Sequence, residues 1–170
     1  MVLHFSKTLQ QALGNIDCSS YQELPIYEPE EPRSHLISDE VIARYGNAKW
    51  AIVDLLNEEY GVILSNKYDL YNWLEQNKED EVAYFLNEAG SNSLNHSEFK
   101  APHKFHLWLG KAGFVLGIEQ KGKGFNAVRV DEQKIKENQG RAFSFFRNCK
   151  NMVFFDNPED AKVVYLEVKF

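Results

Sequence analysis

The sequence predicts an α+β fold, in which N-terminal amphipathic helices pack on a mainly antiparallel C-terminal sheet with one or two further helices. Three observations predict it. Residues 38–90 repeat apolar side chains at helical spacing, whereas residues 103–120 and 162–170 alternate apolar and polar side chains as strands do. The strands also follow the helices, and this order favours α+β over a doubly wound parallel sheet.

Composition predicts a single domain over residues 1–170. Hydrophobic side chains make up 44% of the chain, so it buries a core without metal or disulfide support. We divide it into an N-terminal helix and Pro/Glu-rich arm (1–37), an acidic helical part (38–100) and a basic β-rich part (101–170). With two cysteines, no signal-peptide pattern and no apolar run of membrane-spanning length, we expect a cytoplasmic protein without a membrane partner.

Helices are predicted for most of the first hundred residues. A short amphipathic helix is expected over residues 3–13, and the three prolines of residues 17–34 predict a surface loop or extended arm. Ser38 is a good N-cap because two acids follow it, and residues 48–59 place apolar side chains on one face. Asp80 or Glu79 is expected to open a further helix.

For the last seventy residues the sequence predicts mainly strands. We predict a β-hairpin over 103–120, a third strand over 125–130, a helix over about 133–149 that is interrupted near Gly140, and strands over about 152–155 and 162–170. The hairpin has a defined register. Its predicted pairs are Leu109–Phe114, Leu107–Leu116 and Phe105–Ile118 on one face, and Trp108–Val115, His106–Gly117 and Lys104–Glu119 on the other.

The second hairpin face carries the candidate catalytic residues Glu119, Lys121 and His106. A glutamate there is a potential base or metal ligand, His106 an acid or base, and Lys121 a phosphate anchor. Gly117, opposite His106, is expected to leave space above the sheet. The alternative interpretation is a solvated face with a cross-strand Lys104–Glu119 ion pair.

Glu119-Gln120-Lys121, at the end of an apolar strand, resembles the Glu-x-Lys element of the PD-(D/E)xK nucleases. The resemblance covers three residues and a rough order of elements. It implies that Glu119 helps to bind a divalent metal and that Lys121 steadies the attacked phosphate or the water. The strand over residues 104–109 lacks the further acid that this family places next to the motif.

Charge is unequal along the chain. Residues 1–100 hold 7 basic and 17 acidic side chains, and residues 101–170 hold 12 and 8. The excess is concentrated at 100–150, where we predict an anion-binding surface. Its candidate residues are Lys104, Lys121, Lys123 and Arg129, with Trp108, Phe125, Phe143 and Phe145 interleaved as stacking partners for bases. Alternatively, the phenylalanines belong to the core and the charges only solvate the surface.

These features leave three function classes open. The first is a binding or regulatory protein that contacts nucleic acid or another polyanion through residues 100–150. The alternative is a metal-dependent phosphodiesterase or nuclease-like enzyme that uses Glu119 and Lys121. The second alternative is a protein–protein interaction or inhibitor module that meets a basic partner through its acidic helices. No Walker loop or zinc-ligand spacing occurs, so no cofactor or structural metal site is expected, and the oligomeric state stays open.

Overall fold

The computed structural model describes residues 3–26, 39–71, 80–96, 102–120 and 122–170. The strands in these ranges are β1 (Leu3–His4), β2 (Cys18–Pro25), β3 (Pro102–Gly110), β4 (Gly113–Gln120), β5 (Met152–Phe154) and β6 (Val163–Lys169). The helices are α1 (Leu9–Asn15), α2 (Asp39–Tyr60), α3 (Glu81–His96), α4 (Ala127–Lys136) and α5 (Arg141–Asn148). A 3-10 turn over Pro158–Asp160 precedes β6.

The six strands form one sheet in the order β1-β5-β6-β4-β3-β2. Neighbouring strands are antiparallel except for the parallel β1–β5 pair. The predicted α+β class is therefore confirmed, and so are the hairpin and all six of its residue pairs. Register follows from the sequence here because a slip by one residue would expose the apolar face to water.

The helix predicted to follow Ser38 is confirmed as the 22-residue helix α2, which carries acids in its first turn. Ser38 itself lies outside the described residues. One face of α2 buries Ile52 and Leu56 completely. The predicted start of α3 is confirmed as well, because an Asp80 carboxylate oxygen accepts the Ala83 backbone N–H at 3.0 Å. A carboxylate at this position satisfies one of the amides that a helix start leaves without a partner.

Helices cover the two faces of the sheet unequally. Side chains of α2, α3 and α5 share one large core with Phe105, Leu107, Phe114 and Leu116 of the hairpin. The acidic helical part and the basic β-rich part are thus joined by a common core. On the other face α1 forms a smaller core with residues that include Val115 and Tyr165. The rest of that second face carries three of the predicted site residues, Lys104, His106 and Glu119.

One prediction near the N-terminus is wrong: the helix expected over 3–13 begins only at Leu9, behind the Thr8 cap, because Leu3 and His4 pair with β5 instead. Residues 18–25, expected as part of a surface loop or extended arm, are extended and form the edge strand β2 along β3. Its polar sequence suits an edge, and Pro25 stands at its last position, where a missing N–H is tolerated. The remainder of the predicted arm, residues 27–34, lies outside the described residues.

Two predictions in the basic part also need correction. The third strand expected over 125–130 is absent: Phe125 forms a single bridge with Ala161, and α4 begins at Ala127. The Asn126 side chain accepts the Arg129 N–H at 3.0 Å and so caps the helix. The helix expected over 133–149 is two helices, α4 and α5. Their break falls where Gly140 adopts a left-handed φ of 91°, which confirms the interruption predicted there.

Candidate functional site

The hairpin places Lys104, His106 and Glu119 on the second face of the sheet, beyond the part that α1 covers. The unpredicted strand β2 adds two more polar side chains to this face. Tyr21 lies opposite Trp108, and Glu23 lies opposite His106. We call the five residues Tyr21, Glu23, Lys104, His106 and Glu119 the sheet-face cluster.

Hydrogen bonds and ion pairs link the whole sheet-face cluster. His106 Nε2 lies 3.1 Å from Glu119 Oε2, and His106 Nδ1 lies 2.6 Å from the Tyr21 hydroxyl. The same hydroxyl lies 2.9 Å from Glu23 Oε1. Lys104 Nζ lies 3.1 Å from Glu23 Oε1 and 3.7 Å from Glu119 Oε2. The predicted Lys104–Glu119 ion pair is confirmed, but as one contact of a larger network.

Both ring nitrogens of His106 are engaged in this network. If Tyr21 donates its only proton to Glu23, His106 Nδ1 must donate to the tyrosine oxygen while Nε2 donates to Glu119. If Tyr21 donates to Nδ1 instead, the ring is neutral and Tyr21 has no proton left to donate to Glu23. In either arrangement no ring nitrogen is left for a substrate, so the His106 ring orients the carboxylate of Glu119.

Mutual pairing shifts the pKa values of the cluster. Hydrogen bonds from Lys104 and Tyr21 lower the pKa of Glu23. Burial opposes ionisation of Glu119, but the hydrogen bond from His106 and the charge of Lys104 outweigh it, and the pKa of Glu119 is lowered. Burial and the Glu23 carboxylate raise the pKa of Tyr21. The cluster therefore holds two stabilised carboxylates and a phenol that gives up its proton reluctantly.

Aromatic rings extend from the cluster towards α1. Tyr21 stacks on Trp108 with a centroid distance of 4.9 Å, and Trp108 lies 6.0 Å from Tyr165. The space predicted above Gly117 is filled, because an added Cβ at Gly117 would lie 3.2 Å from the Tyr165 ring. Glycine is needed here so that this ring can lie close to the strand.

The nuclease-like motif is described only in part. Glu119 lies in the cluster, whereas Lys121 lies outside the described residues. Within the described ranges, no group of three or more His, Cys, Asp or Glu side chains is arranged to share a metal ion. These residues therefore do not supply the ligand set that the PD-(D/E)xK resemblance implies.

The predicted anion-binding residues separate into different surroundings. Lys104 is neutralised by Glu23 and Glu119, so it adds no net positive charge to the second face. Lys123 and Arg129 are exposed near the start of α4. Lys104 therefore lies apart from Lys123 and Arg129 and is paired with two carboxylates, and Lys121 lies outside the described residues.

Positive charge collects around α4 and α5. Residues 122–150 contain seven basic and three acidic side chains. Arg147 pairs with Asp131, and Arg141 lies 3.4 Å from Glu88. We call the remaining five the basic surface, since none forms an ion pair with another described residue: Lys123, Arg129, Lys134, Lys136 and Lys150.

A groove of about 710 Å³ runs between the end of α4 and the start of α5. The charged side chains that line it are all basic, namely Lys134, Arg141 and Arg147. No acidic residue occupies the first turn of α5, whose N-terminus adds partial positive charge. Because Arg141 and Arg147 are paired with Glu88 and Asp131, the groove offers a ligand the ammonium group of Lys134 and the N–H groups at the start of α5.

The aromatic side chains expected to stack on bases are mostly engaged elsewhere. Phe143 is 1% exposed and belongs to the core, and Trp108 lies on the other face of the sheet. Phe125 and Phe145 are half-buried and pack against the core. The alternative interpretation, in which these phenylalanines are core residues, is confirmed for Phe143.

A second cavity, of about 330 Å³, adjoins the sheet-face cluster. We call it the acidic cavity; its lining includes Glu119, Asp156, Asn157, Asp160, Lys162 and Tyr165. Its residues are distant in the sequence, since Asp156 and Asp160 belong to the turn before β6, about 40 residues after Glu119. An Asn-Pro-Glu-Asp turn before a strand is an ordinary pattern, so no sequence signal marked it.

No family model matches this chain, and a search of curated proteins finds no significant match to it. Within the described ranges, none of the helices combines the length and the apolar composition needed to cross a bilayer. Function is therefore inferred from the two charged regions, the basic surface and the sheet-face cluster with its cavity.

Proposed function

We propose that this protein binds nucleic acid or another phosphate-rich polyanion through the basic surface of α4 and α5. The observation that supports this most is the set of five basic side chains that lack an ion-pair partner among the described residues. One of the five, Lys134, lines the groove between α4 and α5, and charges that a protein leaves unpaired are available to a ligand of opposite sign.

The recognition we propose depends on phosphates and not on bases. Phe143 is buried and Trp108 lies on the other face, so neither serves as a stacking platform for this surface. Lys134 and the start of α5 instead supply charge and N–H groups around the groove. Binding is accordingly expected to vary little with sequence and strongly with salt.

A fluorescence-anisotropy titration with a labelled single-stranded oligonucleotide tests this. Log Kd should rise linearly with log salt between about 50 and 200 mM, with a slope of about 0.7 per phosphate contact. Two oligonucleotides of equal length and different sequence should bind alike. A chain that binds neither oligonucleotide at the lowest salt, or binds without salt dependence, contradicts the proposal.

A second candidate function is phosphodiester hydrolysis with Glu119 and Lys121. The His106–Glu119 contact of 3.1 Å favours it, because an oriented carboxylate suits general acid–base work. Hydrolysis of labelled DNA and RNA with Mg²⁺ or Mn²⁺ should then be abolished by Glu119→Gln and retained by Glu132→Gln, a matched change on α4. Inertness of the unmodified protein on all of these substrates removes this candidate.

A further inference from the structure

Three members of the sheet-face cluster form a continuous chain of hydrogen bonds that begins at an accessible hydroxyl. The Tyr21 hydroxyl lies 2.6 Å from His106 Nδ1, and His106 Nε2 lies 3.1 Å from Glu119 Oε2. Tyr21 is 45% exposed and the His106 side chain only 12%, so the hydroxyl is the more accessible end of the chain. A nucleophile next to a base that a third group orients is the arrangement that covalent catalysis requires.

The register of the sheet produces this arrangement. Tyr21 pairs with Trp108 and Glu119 pairs with Lys104, so both are diagonal neighbours of His106. Diagonal neighbours on one face of a sheet lie about 7–8 Å apart, a distance that the long side chains of Tyr21 and Glu119 span. The Trp108 ring stacks on Tyr21 and on His106 with centroid distances of 4.9 and 5.4 Å. The packed strands therefore hold the hydroxyl and the imidazole together before any ligand binds.

The Tyr21 hydroxyl needs a base in order to react. Burial and the Glu23 carboxylate raise the pKa of Tyr21, so the resting hydroxyl keeps its proton. When His106 Nε2 donates to Glu119, Nδ1 is free to accept that proton, and Glu119 then stabilises the imidazolium that forms. In this role His106 needs no ring nitrogen for a substrate, because the proton that it takes is that of Tyr21.

The charges of the cluster favour a neutral substrate. With His106 neutral, Glu23 and Glu119 supply two negative charges and Lys104 supplies one positive charge. An anionic phosphodiester would be repelled from this surface, whereas a neutral ester would not. Lys104 and Tyr21 contact the same Glu23 oxygen, so the ammonium group lies near the hydroxyl, where it would stabilise negative charge on a carbonyl oxygen under attack.

We propose that Tyr21 is a nucleophile that accepts an acyl group from a neutral carboxylic ester, with His106 as general base and Glu119 as the residue that positions His106. The Tyr21 oxygen attacks the carbonyl carbon while its proton moves to His106 Nδ1. The bond between that carbon and the ester oxygen then breaks, and His106 returns the proton to the departing alcohol or phenol. The products are an acyl-tyrosine ester and the free alcohol, and no oxidant or reductant is consumed. This activity is separate from the basic surface and does not depend on polyanion binding.

Reaction of the full chain with p-nitrophenyl acetate, a neutral activated ester, tests the proposal. The absorbance of released p-nitrophenolate gives the rate, and peptide mass spectrometry should locate the acetyl group on Tyr21. Tyr21→Phe should abolish this acetylation, and His106→Gln should slow it about 100-fold, a usual contribution of a general base. Glu119→Gln should slow it about tenfold, because the imidazolium loses its counter-charge. Circular dichroism spectra that match the unmodified chain will show that the variants are folded.

Two further measurements distinguish this role from a structural one. Glu23→Gln should accelerate the acetylation of Tyr21 several-fold, because it removes a negative charge and a competing acceptor beside the hydroxyl. A residue that only stabilised the fold would not produce a faster reaction when it is replaced. Acetylation should also be slower in D₂O than in H₂O, because a proton moves in the transition state.

Matched controls separate Tyr21 from general reactivity of the surface. Tyr71→Phe, which changes a more exposed tyrosine, and Cys18→Ser, which removes a free thiol, should leave the acetylation of Tyr21 unchanged. Bis(p-nitrophenyl) phosphate, an anionic ester, should not react at Tyr21. The proposal is overturned if Tyr21 is acetylated no faster than Tyr71, if His106→Gln reacts as fast as the unmodified chain, or if the anionic ester is the better substrate.

Discussion

The sheet-face cluster and the basic surface hold comparable numbers of charged groups but arrange them in opposite ways. In the cluster, Lys104 contacts Glu23 and Glu119, and His106 contacts Glu119. On the basic surface, side chains such as Arg129 and Lys136 form no ion pair with another described residue. Charges that satisfy each other contribute to the fold, whereas charges without partners are available to a ligand.

Backbone architecture explains the difference. Neighbouring strands of a sheet hold opposite side chains about 5 Å apart, so opposite charges on β2, β3 and β4 are in direct contact. Helices α4 and α5, together with their flanking turns, hold seven basic residues and only three acidic ones. Most of the basic side chains are exposed to solvent. Substitutions of the same type in both regions should therefore have different effects.

The largest effect is expected on polyanion binding. Replacing Arg129, Lys134 and Lys136 together with glutamine removes three potential phosphate contacts and should weaken oligonucleotide binding about 100-fold at about 0.1 M salt. Lys104→Gln should leave binding unchanged, because its charge is already neutralised. Anisotropy titrations of both variants at one salt concentration check this. Equal losses in the two variants would remove the distinction between the regions.

The next effect is on stability. Glu119→Gln leaves His106 without its carboxylate partner and Lys104 with Glu23 alone, and should lower the free energy of unfolding by about 2 kcal/mol. Glu132→Gln on α4, an exposed control, should change it by less than about 0.5 kcal/mol. Urea unfolding monitored by tryptophan fluorescence measures both. Similar values for the two variants would show that the network does not stabilise the fold.

Acid should weaken the cluster selectively. The pKa values of Glu23 and Glu119 are lowered in the folded chain, so their contribution to stability is complete above the unfolded-state pKa of about 4.3. It is lost as pH falls through the lower folded-state values. The contribution of these two carboxylates to the free energy of unfolding should therefore fall as the pH drops below about 4.3. A Glu119→Gln variant that loses as much stability as the unmodified chain over this range would contradict the assignment.

The smallest effect is expected from one hydroxyl. Tyr21→Phe removes the contacts to His106 and Glu23 and should cost about 1 kcal/mol, reduced by the 45% exposure of this side chain. Tyr71→Phe, which changes a more exposed tyrosine, is the matched control and should be neutral within error. The same urea measurement distinguishes them. If Tyr21→Phe leaves the free energy of unfolding unchanged, only the ion pairs of the cluster contribute to stability.

Local patterns in the sequence were sufficient for the hairpin and for the start of α3. Alternation over residues 103–120 gave the correct pairs because one face is apolar and a slip would bury charge. The same reasoning failed at Phe125–Val130, where apolar alternation suggested a strand. There the Asn126 cap and the neighbouring turn favour a helix, and a short apolar run does not distinguish the two.

The sequence by itself determined the α+β class, the contact of His106 and Lys104 with the β4 strand, and the basic character of the α4–α5 segment. Only the tertiary structure decided that β2 joins the sheet, that Tyr21 reaches His106 from 85 residues away, and that Lys104 is neutralised. It also brought Asp156, Asp160 and Tyr165 to Glu119. The reason is that periodicity within one segment specifies which face is buried, whereas the pairing of distant strands depends on the packing of the whole chain.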